Sequence, residues 1–193
     1  TGALPLANAF AQYLVCEQAI SSSLDEPCGQ CSGCKKSMEL VHPDIHFSYP
    51  TVTRKPGEKP VATDFIREWR DFLSQHSYGN LFDWIELIKE KDNSQGKITA
   101  EECNDIIRKL SLKSFESPWK ILILWHPELM GNEGNKLLKL IEEPPPQTIL
   151  LLISESEINL LPTIVSRCQL IKVPPLENAV IEKALIERNK TAP

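Results

Sequence analysis

No stretch of this 193-residue chain approaches a membrane span of roughly 18 consecutive apolar residues, and no basic segment leads into an apolar run as in a secretory signal. A cytosolic chain without membrane association is the expectation. Excess positive charge is missing too: 21 Lys and Arg face 26 Asp and Glu, for a formal net charge of -5 and a pI near 5.5. The field of the whole chain opposes nucleic acid, so any approach to DNA needs a local patch or a partner subunit to supply cations. Internal repeats are also lacking.

At 41% hydrophobic residues, the chain can bury one domain with its own core and begin a second, so size alone requires no staple. Six cysteines in a cytosolic chain point to ligands or thiols rather than disulfides. Four of them fall early: Cys16, then Cys28, Cys31 and Cys34 at two-residue gaps, with Gly29 and Gly33 between them to permit tight turns. Two-residue gaps let neighbouring sulfurs converge on one ion, and four thiolates form a closed tetrahedral zinc site with no position left for water. The expected role is therefore structural. A redox Cys-x-x-Cys, an iron-sulfur cluster and an unmetallated cluster are the competing readings. His42 is the spare ligand should Cys16 point away, and Cys103 and Cys168 read as small buried hydrophobes.

Pro5 suits a first helical turn, and the apolar run from Leu6 predicts a helix to about Ala19. A domain opening on such a helix is expected to have an element upstream of Thr1. Pro43 to Pro50 reads as a short strand bounded by prolines. Thr63 is placed as the N-cap of a helix carrying Phe65, Ile66, Trp69, Phe72 and Leu73, an aromatic stripe assigned to the core. Thr99 and Glu102 form a capping-box pattern ahead of Ile106, Ile107 and Leu110. Lys120–Trp125 and Thr148–Ser154 are continuous apolar runs too short for helices, as expected of strands buried on both faces of a parallel sheet. Between them Asn135–Glu143 predicts a helix stopped by Pro144-Pro145-Pro146. The fold class is α/β, a three-layer sandwich in which helices cover both faces of a parallel sheet. A further strand is expected over Gln169–Val173, with a boundary at Pro174-Pro175 and a helix over about 177–188.

A phosphate loop requires glycine-rich amides, a lysine and a Ser/Thr hydroxyl. Thr1-Gly2 would be a two-residue fragment of one, but Ala3 and Leu4 supply neither ammonium nor hydroxyl. Read alone, this is an ordinary loop-to-helix start. Glu142 and Glu143, adjacent on a helix, diverge by roughly 100° and cannot flank one substrate atom, so they read as a helix end beside a proline turn. Lys136 and Lys139 share a solvated helix face.

Several ordered motifs carry a resemblance. Asn135-Lys-Leu-Leu-Lys-Leu-Ile-Glu-Glu-Pro-Pro145 and Ser166-Arg167-Cys168, with the cysteine spacing and His42-Pro43-Asp44, resemble the bacterial DNA polymerase III clamp-loader subunits of the AAA+ class. The likeness covers residues 1 to about 176 apart from an insertion, about 49–97, with no recognisable counterpart. It implies a base domain over 1–174, its first strand upstream of Thr1, a zinc module over about 16–34, and the start of a helical lid over 175–193. In the ATPase members the phosphate loop ends in Gly-Lys-Thr/Ser and the third strand in Asp-Glu. The corresponding positions here are Ala3, Leu4, Trp125 and His126, so no nucleotide binding is expected and no catalytic residue in cis. Glu128, past Pro127, is badly placed as a substitute, and Ser154, where the family often carries a phosphate-sensing Thr, is assigned to capping a turn. The default for His126 is a structural histidine.

These departures match the delta-prime type of subunit. By the same resemblance Arg167, positioned by Ser166 and Cys168, is an arginine finger reaching ATP on a neighbouring subunit. Implied partners are gamma/tau and delta subunits in a hetero-pentameric ring, with sliding clamp and primed DNA engaged through the complex. The implied cofactor is structural zinc, without ATP turnover. Two other functions compete: an ATP-hydrolysing subunit of the gamma or tau type, and a zinc-binding adaptor outside replication.

Overall fold

The computed structural model describes residues 2–22, 25–55, 57–90 and 94–189. In chain order the elements are α1 (Ala3–Leu14), α2 (Glu17–Ser22), α3 (Ser32–Met38), β1 (Ile45–Ser48), α4 (Ile66–Gln75), α5 (Leu81–Ile88), α6 (Ala100–Ser111), β2 (Lys120–Trp125), α7 (Leu138–Glu142), β3 (Thr148–Ile153), α8 (Pro162–Val165) and α9 (Asn178–Asn189). The strands form a parallel sheet in the order β1-β2-β3. Ile45 lies opposite Ile121, and Ile121 opposite Ile149.

The continuous apolarity of β2 has the meaning expected of it. Successive side chains of a strand point to opposite faces, and here both faces are covered. Ile121, Ile123 and Trp125 enter one core with α1, α4 and α5. Leu122 and Leu124 enter a second with α6, Met130, Leu137 and Ile164. All six β2 residues are buried. Flanking strands follow the same parity: Ile45 and Phe47, and Leu151 and Ile153, turn to the first core, whereas Leu150 and Leu152 turn to the second.

Trp69 of α4 is fully buried at the centre of the first core. Its ring stacks on Tyr49 at 4.0 Å and meets Trp84 edge-on at 5.1 Å, Trp125 at 5.3 Å and Phe72 at 5.7 Å. The aromatic stripe is thus core, and α4 and α5, within the segment over 49–97, are built into the domain.

Several local expectations are corrected. The first helix ends at Leu14 and resumes at Glu17. Thr63 is not an N-cap: a 3₁₀ turn over Ala62–Phe65 precedes α4, Asp64 accepts the Val61 amide at 2.9 Å, and the Thr63 hydroxyl instead accepts from Lys109. Thr99 does cap α6 through the Glu102 amide at 3.2 Å. The other half of the box is diverted, since the buried Glu102 carboxylate accepts the Ala62 amide at 2.6 Å while Tyr49 donates to the Ala62 carbonyl at 2.7 Å. The helix expected over Asn135–Glu143 is α-helical only over Leu138–Glu142; a 3₁₀ segment over Pro127–Leu137, kinked at Gly131 with φ 51°, precedes it. Gln169–Val173 forms no strand: it makes no ladder with a neighbour among the described residues, and Leu170 and Ile171 stay exposed.

Two buried charges tie loops to the sheet. Lys120, at the start of β2, donates to the Leu110 and Leu112 carbonyls and so closes the C-terminal end of α6. Asp44, 2% exposed, accepts three consecutive amides, Phe115 at 2.5 Å and Glu116 and Ser117 at 2.8 Å each. Burial pushes its pKa up, but the Ser117, Phe115 and Glu116 amides outweigh this and hold the carboxyl below its ordinary range. A depressed folded-state pKa stabilises the fold above the unfolded value of about 3.9, and that contribution disappears as pH falls through the folded value. Asp44→Asn is therefore expected to cost about 1–3 kcal/mol at pH 7 and to flatten the acid limb of the stability profile. Denaturant titrations at a series of pH values check this; an acid limb identical to that of the parent protein would contradict it.

Candidate functional site

The break between α1 and α2 prepares the cysteine cluster. It turns the Val15 carbonyl against Gly33, where an added Cβ would lie 2.2 Å from that oxygen. Gly33 thus serves close approach inside α3 rather than a turn, whereas Gly29 does adopt the left-handed φ of 69° that a turn between ligands requires. Cys31 caps α3 by accepting the Cys34 amide at 3.4 Å. Cys16 and Cys34 are fully buried, with Cys28 and Cys31 partly covered beside Tyr13 and Ala19. Their four sulfurs lie within 4.8 Å of one another, and Cys28 and Cys34 are 3.9 Å apart. Ligands on a tetrahedron with metal-sulfur bonds of about 2.3 Å stand about 3.8 Å apart, so the donor set fits a metal ion. All four thiols are free.

Backbone amides point at these sulfurs. Cys16 Sγ accepts from Ala19 and Cys28, each at 3.3 Å, and Cys28 Sγ accepts from Cys31 at 3.4 Å and Gln30 at 3.5 Å. Burial pushes the Cys16 thiol up, but the amides of Cys28 and Ala19 overcome it and bring the pKa down to about 6. The Gln30 and Cys31 amides lower that of Cys28. Cys34, dominated by burial, is pushed up to about 12. Amide donors around thiols are the arrangement that favours thiolate, the form that ligates metal. His42 is occupied elsewhere, its Nδ1 accepting the Asp44 amide at 3.1 Å.

The region at the N-terminus of α1 and the carboxyl ends of β2 and β3 is where α/β sheets ordinarily bind ligands. Thr1 lies outside the described residues. Gly2 occupies the N-cap position of α1 with no side-chain cap, Leu4 is buried in the first core, and Tyr78 comes within 3.8 Å of where a Cβ on Gly2 would stand. Trp125 is buried against Trp69 and Phe72. His126 is 2% exposed in left-handed conformation, φ 55°, with Nδ1 2.9 Å from Glu128 Oε1. Burial pushes the Glu128 pKa up, but hydrogen bonding, led by His126, holds it down. Ser154 closes a turn as expected, donating to the Ser156 carbonyl at 3.0 Å and accepting its amide at 3.1 Å.

Arg167 follows α8. Its Nε donates to Glu142 Oε1 at 2.5 Å, and Nη1 donates to the Thr163 carbonyl at 2.8 Å and Ser166 Oγ at 3.3 Å. Cys168 packs, partly buried, on the second core. Glu142 was legible only as a helix end. Its meeting with Arg167, 25 residues away, leaves no local signal in the sequence.

Fold and site define the class first: an α/β protein with a parallel three-stranded sheet between helical layers and a four-cysteine cluster beside the first helix. Residues 1–177 match the family described as DNA polymerase III, delta subunit, and the chain belongs to that family. DNA polymerase III subunit delta' of Bacillus subtilis is 29% identical over 190 residues, covering 98% of this chain and 44% of that protein. Subunit tau of Bacillus subtilis is 25% identical over 170 residues, covering 88% of this chain and 22% of its own. Among solved structures, a DNA polymerase III gamma subunit-related protein of Thermotoga maritima aligns with TM-score 0.43 and 19% identity over 79% of this chain and 43% of its own. The chain thus spans less than half the length of these relatives. No helix among the described residues is long and apolar enough to cross a membrane.

Because the Gly33 approach to Val15 involves backbone, Gly33→Ala is expected to destabilise the domain by about 1–3 kcal/mol, against a change within about 0.5 kcal/mol for the exposed Lys35→Ala. Paired denaturant melts measure both; equal stability for the two variants would contradict the role assigned to Gly33.

Proposed function

We propose that this chain is the AAA+ base, over 1–174, and the start of the lid, over 175–193, of a delta-prime-type clamp-loader subunit that does not itself turn over ATP. The observation that carries this reading is Trp125. At the end of the central strand, where nucleotide hydrolysis by this fold needs a carboxylate for magnesium and water, an indole is buried in an aromatic cluster. His126 beside it is buried and paired with Glu128, and Ala3 and Leu4 present neither the ammonium nor the hydroxyl that a phosphate loop supplies.

Arg167 is the residue proposed to act, and in trans. A guanidinium near a transferring phosphoryl group offsets charge that builds on its oxygens, and two of its nitrogens can be held while the third reaches outward. In this reading Arg167 serves ATP on a neighbouring gamma/tau subunit of a hetero-pentameric ring that also holds delta. Ser166, in contact with the guanidinium, and Cys168, anchored in the core, orient the loop. The ring opens the sliding clamp and places it on primed DNA in the cytoplasm; the acidic chain contributes as a rigid member rather than as a DNA-binding surface.

Cys16, Cys28, Cys31 and Cys34 would hold zinc. The ion would supply a closed, non-catalytic cross-link between the α1–α2 junction and α3.

Purified full-length subunit is expected to carry about one zinc per chain, to lose thermal stability on chelation, and to show no ATP binding by calorimetry; metal-free protein of equal stability, or stoichiometric ATP binding, would overturn the corresponding half of the reading. In the reconstituted complex Arg167→Ala is expected to lower ATPase turnover about tenfold or more at the affected site while assembly is retained. Unchanged turnover would remove the finger.

A further inference from the structure

The geometry points to Glu142 as the positioning residue of Arg167: its carboxylate holds Nε and, with Nη1 also held, fixes the guanidinium so that Nη2 is left to take an anionic group on an adjoining molecule. This rests on the reading of Arg167 as a finger and assigns a partner within the chain that makes it one.

A guanidinium is a planar fork with five donors. Three contacts hold this one: Nε on Glu142 Oε1 at 2.5 Å, and Nη1 on the Thr163 carbonyl at 2.8 Å and Ser166 Oγ at 3.3 Å. Nε–H and the Nη1 amino group point to different sides of the planar guanidinium, so the contacts to Glu142 and to Thr163 and Ser166 together fix its orientation, and Nη2 is the nitrogen left without an acceptor among the described residues. Each holding contact is itself anchored. Glu142 is the last residue of α7, two residues before the Pro144-Pro145-Pro146 stop; Thr163 belongs to α8; Ser166 Oγ donates to the same Thr163 carbonyl at 3.2 Å. Leu138, Leu140 and Ile141 of α7, with Ile164 of α8, pack into the second core, so the two ends of the clamp are seated on one rigid layer.

Both side chains of the ion pair remain solvent-accessible, Arg167 by 34% and Glu142 by 44%. A surface pair of this kind contributes little to stability. Holding a flexible arginine in one orientation, by contrast, removes an ordering cost otherwise met when a charge has to be stabilised. The arrangement therefore fits positioning better than scaffolding.

The test uses full-length subunit in the reconstituted complex, with ATPase turnover as readout. Glu142→Ala is expected to lower kcat about ten- to hundredfold, the scale of a displaced catalytic group, with KM for ATP unchanged, because the lost interaction acts on charge that develops during transfer. Glu142→Gln, which keeps an acceptor oxygen for Nε, is expected to recover part of that loss, and both variants should melt and assemble like the parent. In an Arg167→Ala background, Glu142→Ala should add nothing, since it would act only through the arginine. An unchanged kcat for Glu142→Ala, or an equal loss with and without Arg167, would overturn the positioning role while leaving the finger intact. If Arg167→Ala by itself leaves turnover at the parent level, the finger reading fails, and the role of Glu142 with it.

Discussion

Everything in this domain is arranged about one strand that has no exposed face. Ile121, Ile123 and Trp125 on one side of β2, and Leu122 and Leu124 on the other, are covered by helices drawn from the first and the second half of the chain respectively. Burial of that kind removes nearly all of their apolar surface from water, the dominant favourable term in folding, and forces every neighbouring element to take a side. The period-2 parity carried by β1 and β3 is the direct consequence.

The aromatic cluster at Trp69 shows how that constraint meets function. Tyr49, Trp84 and Phe72 bring α4 and α5 together against the sheet, and Trp125 extends the cluster to the carboxyl end of β2. A large indole there contributes packing where a hydrolytic site would place charge. At that end of β2 packing has taken Trp125 and His126, both buried. The cysteines beside α1 form a cluster of their own, and Arg167 after α8 stays partly exposed.

Single side chains acting on backbone join these parts. Asp44 on the amides of 115–117, Lys120 on the end of α6, and Glu102 with Tyr49 on Ala62 each satisfy buried groups that would otherwise be costly. None was legible beforehand, because each joins residues remote in sequence or requires knowing that a loop is buried. Thr63 and the Glu102 half of the capping box departed for the same reason: Lys109 and Ala62, tertiary neighbours, displaced the local partners. Gln169–Val173 has the composition of a strand, yet a strand exists only through a ladder with a neighbour, which composition cannot provide.

By itself the amino-acid order determined what depends on short range and on residue identity. It set the proline-bounded strand that became β1, the two apolar runs that became β2 and β3, the aromatic stripe of α4, the two-residue cysteine gaps, and the absence of lysine and carboxylate at positions 3, 4, 125 and 126. Local period and side-chain chemistry are properties of neighbouring residues, so they survive without coordinates. Only the tertiary structure decided that the four sulfurs converge beneath amide donors, that Gly33 makes room for a carbonyl rather than a turn, and that Glu142 meets Arg167. Those outcomes depend on where distant backbone comes to rest, and that is set by burial summed over the whole core rather than by any one residue's preference.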